Sequence, residues 1–139
     1  MANRPKVMID LNVILDVLQE RRPFYDASAA LLTSAETERI DGYIAAHSVT
    51  ALFYLIQKRK SSSEARATIT NLLQFLKIAP LDQSTIEQSL NLDYKDFEDA
   101  VSMMSALQCR ADYLITRNIK DFQPALPPVI QPVDFMATL

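Results

Sequence analysis

Apolar residues recur along the chain with two alternating periods, short runs of strand length and longer stretches with helical spacing. The run Lys6 to Asp10 predicts a buried strand that ends on a carboxylate. Leu11 to Glu20 then places Leu11, Ile14, Leu15 and Leu18 on one helical face. Pro23 is suited to open a second helix, along which Phe24, Ala27, Leu31 and Leu32 repeat. Gly42 to Ala45 predicts the second strand, and Val49 to Arg59 a third helix. Ser61-Ser62-Ser63-Glu64 has the form of a capping box opening a fourth helix, with Ile69, Leu72, Leu73 and Leu76 on its apolar face. Lys77 to Ala79 reads as a strand stopped by Pro80. Asp82 caps a short helix through Leu90, and Asp96 begins another that runs to about Cys109. Asp112 to Thr116 is a buried strand, Pro127 and Pro128 punctuate the chain, and Val129 and Ile130 form a last short strand. Val133 to Leu139 adds a helical turn. Strands alternating with helices predict an α/β fold, helices layered on a parallel sheet.

The chain has 139 residues, enough for one domain spanning 1–139 and for a core that needs no disulfide or structural metal. Its single cysteine, Cys109, excludes an intrachain disulfide and agrees with a reducing, cytoplasmic location. The apolar run from Val7 is interrupted at Asp10, so no signal peptide is expected, and no stretch approaches the roughly 20 residues that span a bilayer. One glycine, Gly42, rules out phosphate loops and dinucleotide fingerprints, which need several. There is no Gly-x-Ser-x-Gly elbow, and His47 is the only histidine, without the partners a zinc site requires. The net charge of −3 argues against non-specific binding of nucleic acid, so any such role needs a local basic patch or a bridging cation.

The remaining candidate chemistry is acidic. Ligands of parallel α/β sheets bind at the carboxyl ends of the strands. Asp10 lies there, and Asn118 and Asp121 follow the strand that ends at Thr116. Asp96 and Asp99 are three apart at a helix start and share a face. Several carboxylates at one edge form an oxygen-rich site of the kind Mg²⁺ or Mn²⁺ takes. Helix capping competes with this reading for Asp96 with Asp99 and for Asn118 with Asp121. Asp10 could cap the helix after it, but a carboxylate directly behind Val7-Met8-Ile9 is costly to desolvate unless it is paired or bound to metal.

Met8-Ile9-Asp10-Leu11-Asn12-Val13-Ile14-Leu15-Asp16 resembles the opening of PIN domains, found in the VapC-type toxins of bacterial toxin–antitoxin pairs. Asp96-Phe97-Glu98-Asp99-Ala100 and Leu114-Ile115-Thr116-Arg117-Asn118-Ile119-Lys120-Asp121-Phe122 resemble two further motifs of that family, in the same order. The resemblance covers nearly the whole chain. It implies a three-layer α/β/α sandwich with four or five parallel strands, and endoribonuclease action with Mg²⁺ or Mn²⁺ and no covalent intermediate. It further implies that Asp10 is the first metal ligand, that Asp99 matches the helical aspartate of the second acidic motif, and that Asp121 or the Asn118 position completes the pocket. Asn12 and Thr116 would orient those carboxylates, with Asp96 supporting them. The family usually has a glutamate early in the third helix, where this chain has Ala51.

Arg117 and Lys120 flank the proposed pocket and are placed to meet RNA phosphates, whereas Lys58, Arg59, Lys60 and Arg66 read as a solvated helix end. The expected partners are an RNA substrate, a small antitoxin and a second copy of the chain, the last through apolar faces such as Phe24 and Leu31. Ala51 keeps a second reading open, a catalytically weak or silent PIN-like module that binds RNA or a protein. A receiver-type signalling domain fits poorly, because the middle strands end on Ala45 or Ala79 rather than on a phosphoacceptor aspartate.

Overall fold

A computed structural model describes residues 4–139. Five strands, β1 (Lys6–Ile9), β2 (Asp41–Ala45), β3 (Leu76–Ala79), β4 (Tyr113–Ile115) and β5 (Val129–Ile130), pair in parallel in the order β3-β2-β1-β4-β5. The helices are α1 (Leu11–Leu18), α2 (Tyr25–Glu36), α3 (Ala46–Arg59), α4 (Ser62–Leu72), α5 (Gln83–Ser89), α6 (Phe97–Gln108) and α7 (Pro132–Met136).

Strand alternation divides the core into two layers. Val7, Ile9, Ile44, Leu76 and Ile115 face one cluster, filled by Val13 and Ile14 of α1, Leu31 of α2, Leu52 of α3, Leu72 of α4 and Phe135 of α7. Met8, Ala45, Ala79 and Leu114 face the other, closed by Met103 and Ala106 of α6 and by Phe122. α5 packs on the outside of α6, where the Thr85 hydroxyl donates to Gln108 Oε1 at 2.6 Å. Covering both faces is why β1 reads as an unbroken apolar run rather than an alternating one. The sandwich and parallel sheet expected from the sequence are present, with five strands.

Several boundaries differ from the sequence reading. Leu76 does not extend the apolar face of α4. The helix ends at Leu72, two turn bonds (Gln74 N–H to Asn71 O, Phe75 N–H to Leu72 O) reverse the chain, and Leu76 opens β3 opposite Gly42. An apolar leucine fits either period, and only the sheet neighbour decides between them. α2 begins at Tyr25 rather than at Pro23, and α3 begins at Ala46, three residues before Val49. At α4, Ser61 accepts the Glu64 N–H at 3.0 Å, one half of the expected capping box. The full reciprocal box occurs instead between Asp82 and Thr85 at α5. Leu31 is completely buried in the core, so the Phe24–Leu31 stripe is not a free face for self-association. Phe24 alone remains partly exposed there.

Gly42 stands where β2 passes beneath α2. A Cβ there would meet Leu76 Cδ2 at 2.7 Å and Ala35 Cβ at 3.3 Å. Gly42→Val is expected to cost on the order of 2 kcal/mol through overpacking, read as a lower urea midpoint with an unchanged slope.

Candidate functional site

β1 is the central strand, with β2 on one side and β4 on the other. Segments leaving β1 and β4 therefore diverge, and the crevice between them at their carboxyl ends is where sheets of this kind bind ligands. Asp10 begins there. Its N–H continues the ladder to Ile115 O at 2.9 Å, and its carboxylate Oδ2 accepts the Thr116 hydroxyl at 2.7 Å. Thr116 Oγ1 in turn accepts the Asn118 N–H at 3.0 Å, so donor and acceptor roles of that buried hydroxyl are both filled.

Asp10 occupies the N-cap position of α1 but makes no side-chain cap hydrogen bond of the usual kind. Burial pushes its carboxyl above the ordinary value. The Thr116 hydroxyl, the Leu11 amide and the charge of Arg117 oppose that shift, while the charge of Asp121 adds to it.

Asp99, in the first turn of α6, is pushed up to about 7, first by burial and then by the charges of Asp96, Asp10, Asp121 and Glu98. Three segments far apart in sequence thus place their carboxylates within electrostatic reach of one another. Asp121 closes a 3-10 turn (Ile119–Asp121) and is exposed. It lines a cleft of about 580 Å³ together with Asp99, Asp96, Tyr94, Lys95 and Lys120, a size within the ordinary range of ligand sites.

The supporting residues divide. Asp96 is a helix cap, accepting the Glu98 N–H at 2.8 Å, as its competing explanation held, and it also borders the cleft. Asn118 contributes its backbone N–H to Thr116, while its exposed side chain makes no cap bond. Asn12 Oδ1 is buried without a hydrogen-bond partner. Lys120 stands exposed at the rim of the cleft.

Arg117, expected beside the pocket, pairs with a buried carboxylate. Its Nε and Nη2 donate to the two carboxylate oxygens of Asp16 at 2.7 and 3.2 Å, and its guanidinium lies 4.4 Å from the centre of the Phe24 ring. Asp16 is fully buried and is a residue that sequence reasoning quoted without assigning it a role. Its signal was a carboxylate among Ile14, Leu15 and Val17. Tyr94 was missed as well. Burial and the charge of Asp99 push its hydroxyl up to about 12, and it donates to Pro124 O.

Ala51 lines a neighbouring groove, with His47, Tyr54, Phe97 and Glu98, rather than the acidic cleft. Cys109 is half-buried and burial raises its thiol pKa, which makes it a poor nucleophile.

Among the described residues, no three His, Cys, Asp or Glu side chains are drawn together tightly enough to enclose a metal by themselves. The donor set still fits Mg²⁺ or Mn²⁺. All its members are hard oxygens, Asn12 offers an unpartnered one, and Mg²⁺ retains waters while taking only one or two carboxylates from the protein.

The Asp99 shift carries a stability consequence. An ordinary carboxyl titrates at 3.8, and Asp99 holds its proton to about 7 in the fold. The folded protein therefore binds more protons than the unfolded chain across that window, and metal-free stability falls as pH rises through it. Asp99→Asn is expected to flatten this slope between pH 4 and 7 and to be the more stable protein at pH 7.5. Urea melts of both proteins in EDTA across that range measure the difference.

Residues 6–120 match the family described as PIN domain. The chain is 27% identical over 127 residues to "Ribonuclease VapC1" of Aquifex aeolicus (strain VF5), an alignment covering 86% of this chain and 85% of that protein. Its fold superposes on a toxin–antitoxin complex from Klebsiella pneumoniae with a TM-score of 0.69 and 25% identity, over 91% of this chain and 97% of that one. DNA-bound VapBC from Salmonella typhimurium has the same fold, with a TM-score of 0.66 and 14% identity, over 92% and 98% of the two chains. With the family's model matched over residues 6–120 and its motifs in order along the sequence, this chain belongs to the PIN domain family.

Proposed function

We propose that the chain is a VapC-type endoribonuclease that cuts RNA phosphodiesters with Mg²⁺ or Mn²⁺, and that it is the toxin of a toxin–antitoxin pair. The observation that carries this reading is that the charges of Asp10 and Asp121 both act on the half-buried Asp99 at one sheet edge, in a PIN-domain chain 27% identical to an Aquifex ribonuclease. A folded protein that collects like charges in a cleft stores an electrostatic cost that a cation relieves.

Asp10 and Asp99 are the proposed ligands, with Asp121 completing the set. When bound, the ion supplies Lewis acidity and an activated water at neutral pH for in-line attack on the phosphodiester. Thr116 fixes the orientation of the Asp10 carboxylate through its 2.7 Å hydrogen bond. Asp99 must release a proton to bind a cation near neutral pH, so ion binding and proton release are coupled at this residue. Lys120 and Lys95 at the rim of the cleft give a net acidic protein local positive charge to meet the substrate backbone.

The antitoxin belongs to the same proposal. Its support is the Klebsiella pneumoniae structure, which is itself a toxin–antitoxin complex. A homodimer is also proposed, with its face moved from the Phe24–Leu31 stripe to the groove of Tyr54, Phe97, Leu81 and Ile86, where two aromatic rings are partly exposed. Light scattering should give a dimer mass for the wild type and a monomer mass for Tyr54→Lys.

Ala51 is the one observation that favours a silent module, since no acid stands where the family usually has a glutamate. An RNA cleavage assay separates the two readings. Wild type is expected to yield products with Mn²⁺ and none with EDTA, and Asp10→Asn to lose cleavage by about a hundredfold or more. Equal cleavage by both proteins would mean a contaminating nuclease, and Mn²⁺-insensitive wild type would leave the silent module standing.

A further inference from the structure

Asp16 sits in the last turn of α1 with its side chain fully buried, an expensive place for a carboxylate. What offsets that cost is Arg117, which reaches it from the far end of the chain with two charge-assisted bonds of 2.7 and 3.2 Å. Arg21 adds a longer contact at 3.5 Å. Phe24 covers the guanidinium, with its ring centre 4.4 Å away.

Arg117 directly follows Thr116, the residue whose hydroxyl holds Asp10. β4 ends at Ile115, so the Thr116–Asn118 turn has left the sheet. The last ladder bond is Thr116 N–H to Ile130 O at 3.0 Å, and beyond it the Arg117 carbonyl accepts only a long bond of 3.4 Å from Gln131 Nε2. The side-chain anchors of this turn are the Thr116 hydroxyl on Asp10 at 2.7 Å and the Arg117 fork on Asp16. A lysine, with one point charge and no planar fork, would not impose the same direction on the backbone.

We propose that Asp16 is a positioning residue for the acidic site, fixing the Thr116–Asn118 turn through its two-pronged pairing with Arg117 and so setting the Thr116 hydroxyl on Asp10. The proposal rests on the ribonuclease reading of that site. A relay of three contacts runs from the buried carboxylate to the candidate ligand: Asp16 to Arg117, Arg117 to its chain neighbour Thr116, and Thr116 to Asp10 at 2.7 Å. A buried ion pair kept for stability alone is replaceable by apolar side chains of similar volume. One placed next to the residue that orients a candidate metal ligand has a geometric reason to be charged and forked. The same pairing turns the Nε and Nη2 donors of Arg117 inward.

The test has one arm independent of metal and RNA and one arm that reads cleavage. In metal-free protein, Asp16→Asn is expected to speed hydrogen exchange of the Asn118 amide, which donates to Thr116 Oγ1, by about tenfold more than it speeds exchange at Met8 and Leu114 in the sheet. With Mn²⁺ and RNA, it is expected to lower kcat by about tenfold or more while leaving KM within about twofold, the pattern of a displaced reacting group. Thr116→Val should lower kcat as much, and the Asp16→Asn/Thr116→Val double variant no further, because both act on the same bond. Should Asp16→Asn fail to fold, Arg117→Lys, which keeps the charge and removes the fork, is expected to move both readouts in the same direction. Uniform acceleration of exchange across sheet and turn, or multiplicative losses in the double variant, would reduce Asp16 to a stability role and overturn the proposal. Selective acceleration at Asn118 in a protein whose wild type cuts no RNA would support the positioning role and defeat the ribonuclease reading instead.

Discussion

The pairing of β1 with β4 is the constraint on which the candidate site depends. It aligns Ile9 with Ile115, so the next residue on each strand, Asp10 and Thr116, emerges at the same edge. The hydrogen bond between them follows from that register, as does the crevice, because β1 sends the chain one way to β2 while β4 lies on its other side. A slip of one residue would send Asp10 to the opposite face and separate it from the hydroxyl. Register is held by burial on both faces, with Val7 and Ile9 in one layer and Met8 in the other. The apolar core and the acidic site are thus consequences of the same strand.

Around that strand the protein tolerates unfavourable electrostatics. Asp10 and Asp99 both hold their protons more tightly than ordinary carboxyls, because burial and like charges act in the same direction. Two other carboxylates of the molecule have clear partners. Asp16, deeper than either, meets Arg117 in a fork, and Asp96 accepts a helix amide. These acids are paired with a cation or a helix amide. Asp10 at the switch point has the Thr116 hydroxyl instead, and an unmet oxygen on Asn12 lies nearby in sequence.

The neighbouring α3–α6 groove qualifies how the missing glutamate is understood. Position 51 faces Phe97 and Glu98 rather than the cleft wall formed by Asp96, Asp99 and Asp121. Glu98 is among the charges that raise Asp99, so an acidic side chain already stands on the α6 side of that groove.

Much of this was legible in the sequence, and the division has a physical cause. Period-two and period-3.6 patterns mark where side chains are buried, and those patterns place β1, β4, α1 and α6 within a residue or two. They also mark Asp10, since a carboxylate ending an apolar run is conspicuous without any structure. Boundaries such as Leu76 were not legible, because an isolated leucine satisfies either period until Gly42 appears opposite it. Partner choice was not legible either. Arg117 and Lys120 are equally basic neighbours of the motif, yet one turns inward to Asp16 and the other stays at the rim. Local sequence determines what a side chain is able to bind. Only the tertiary fold, which brings α1 and the turn after β4 together, decided what Arg117 does bind, because charge pairing is a matter of distance in space and Asp16 lies about a hundred residues away in sequence.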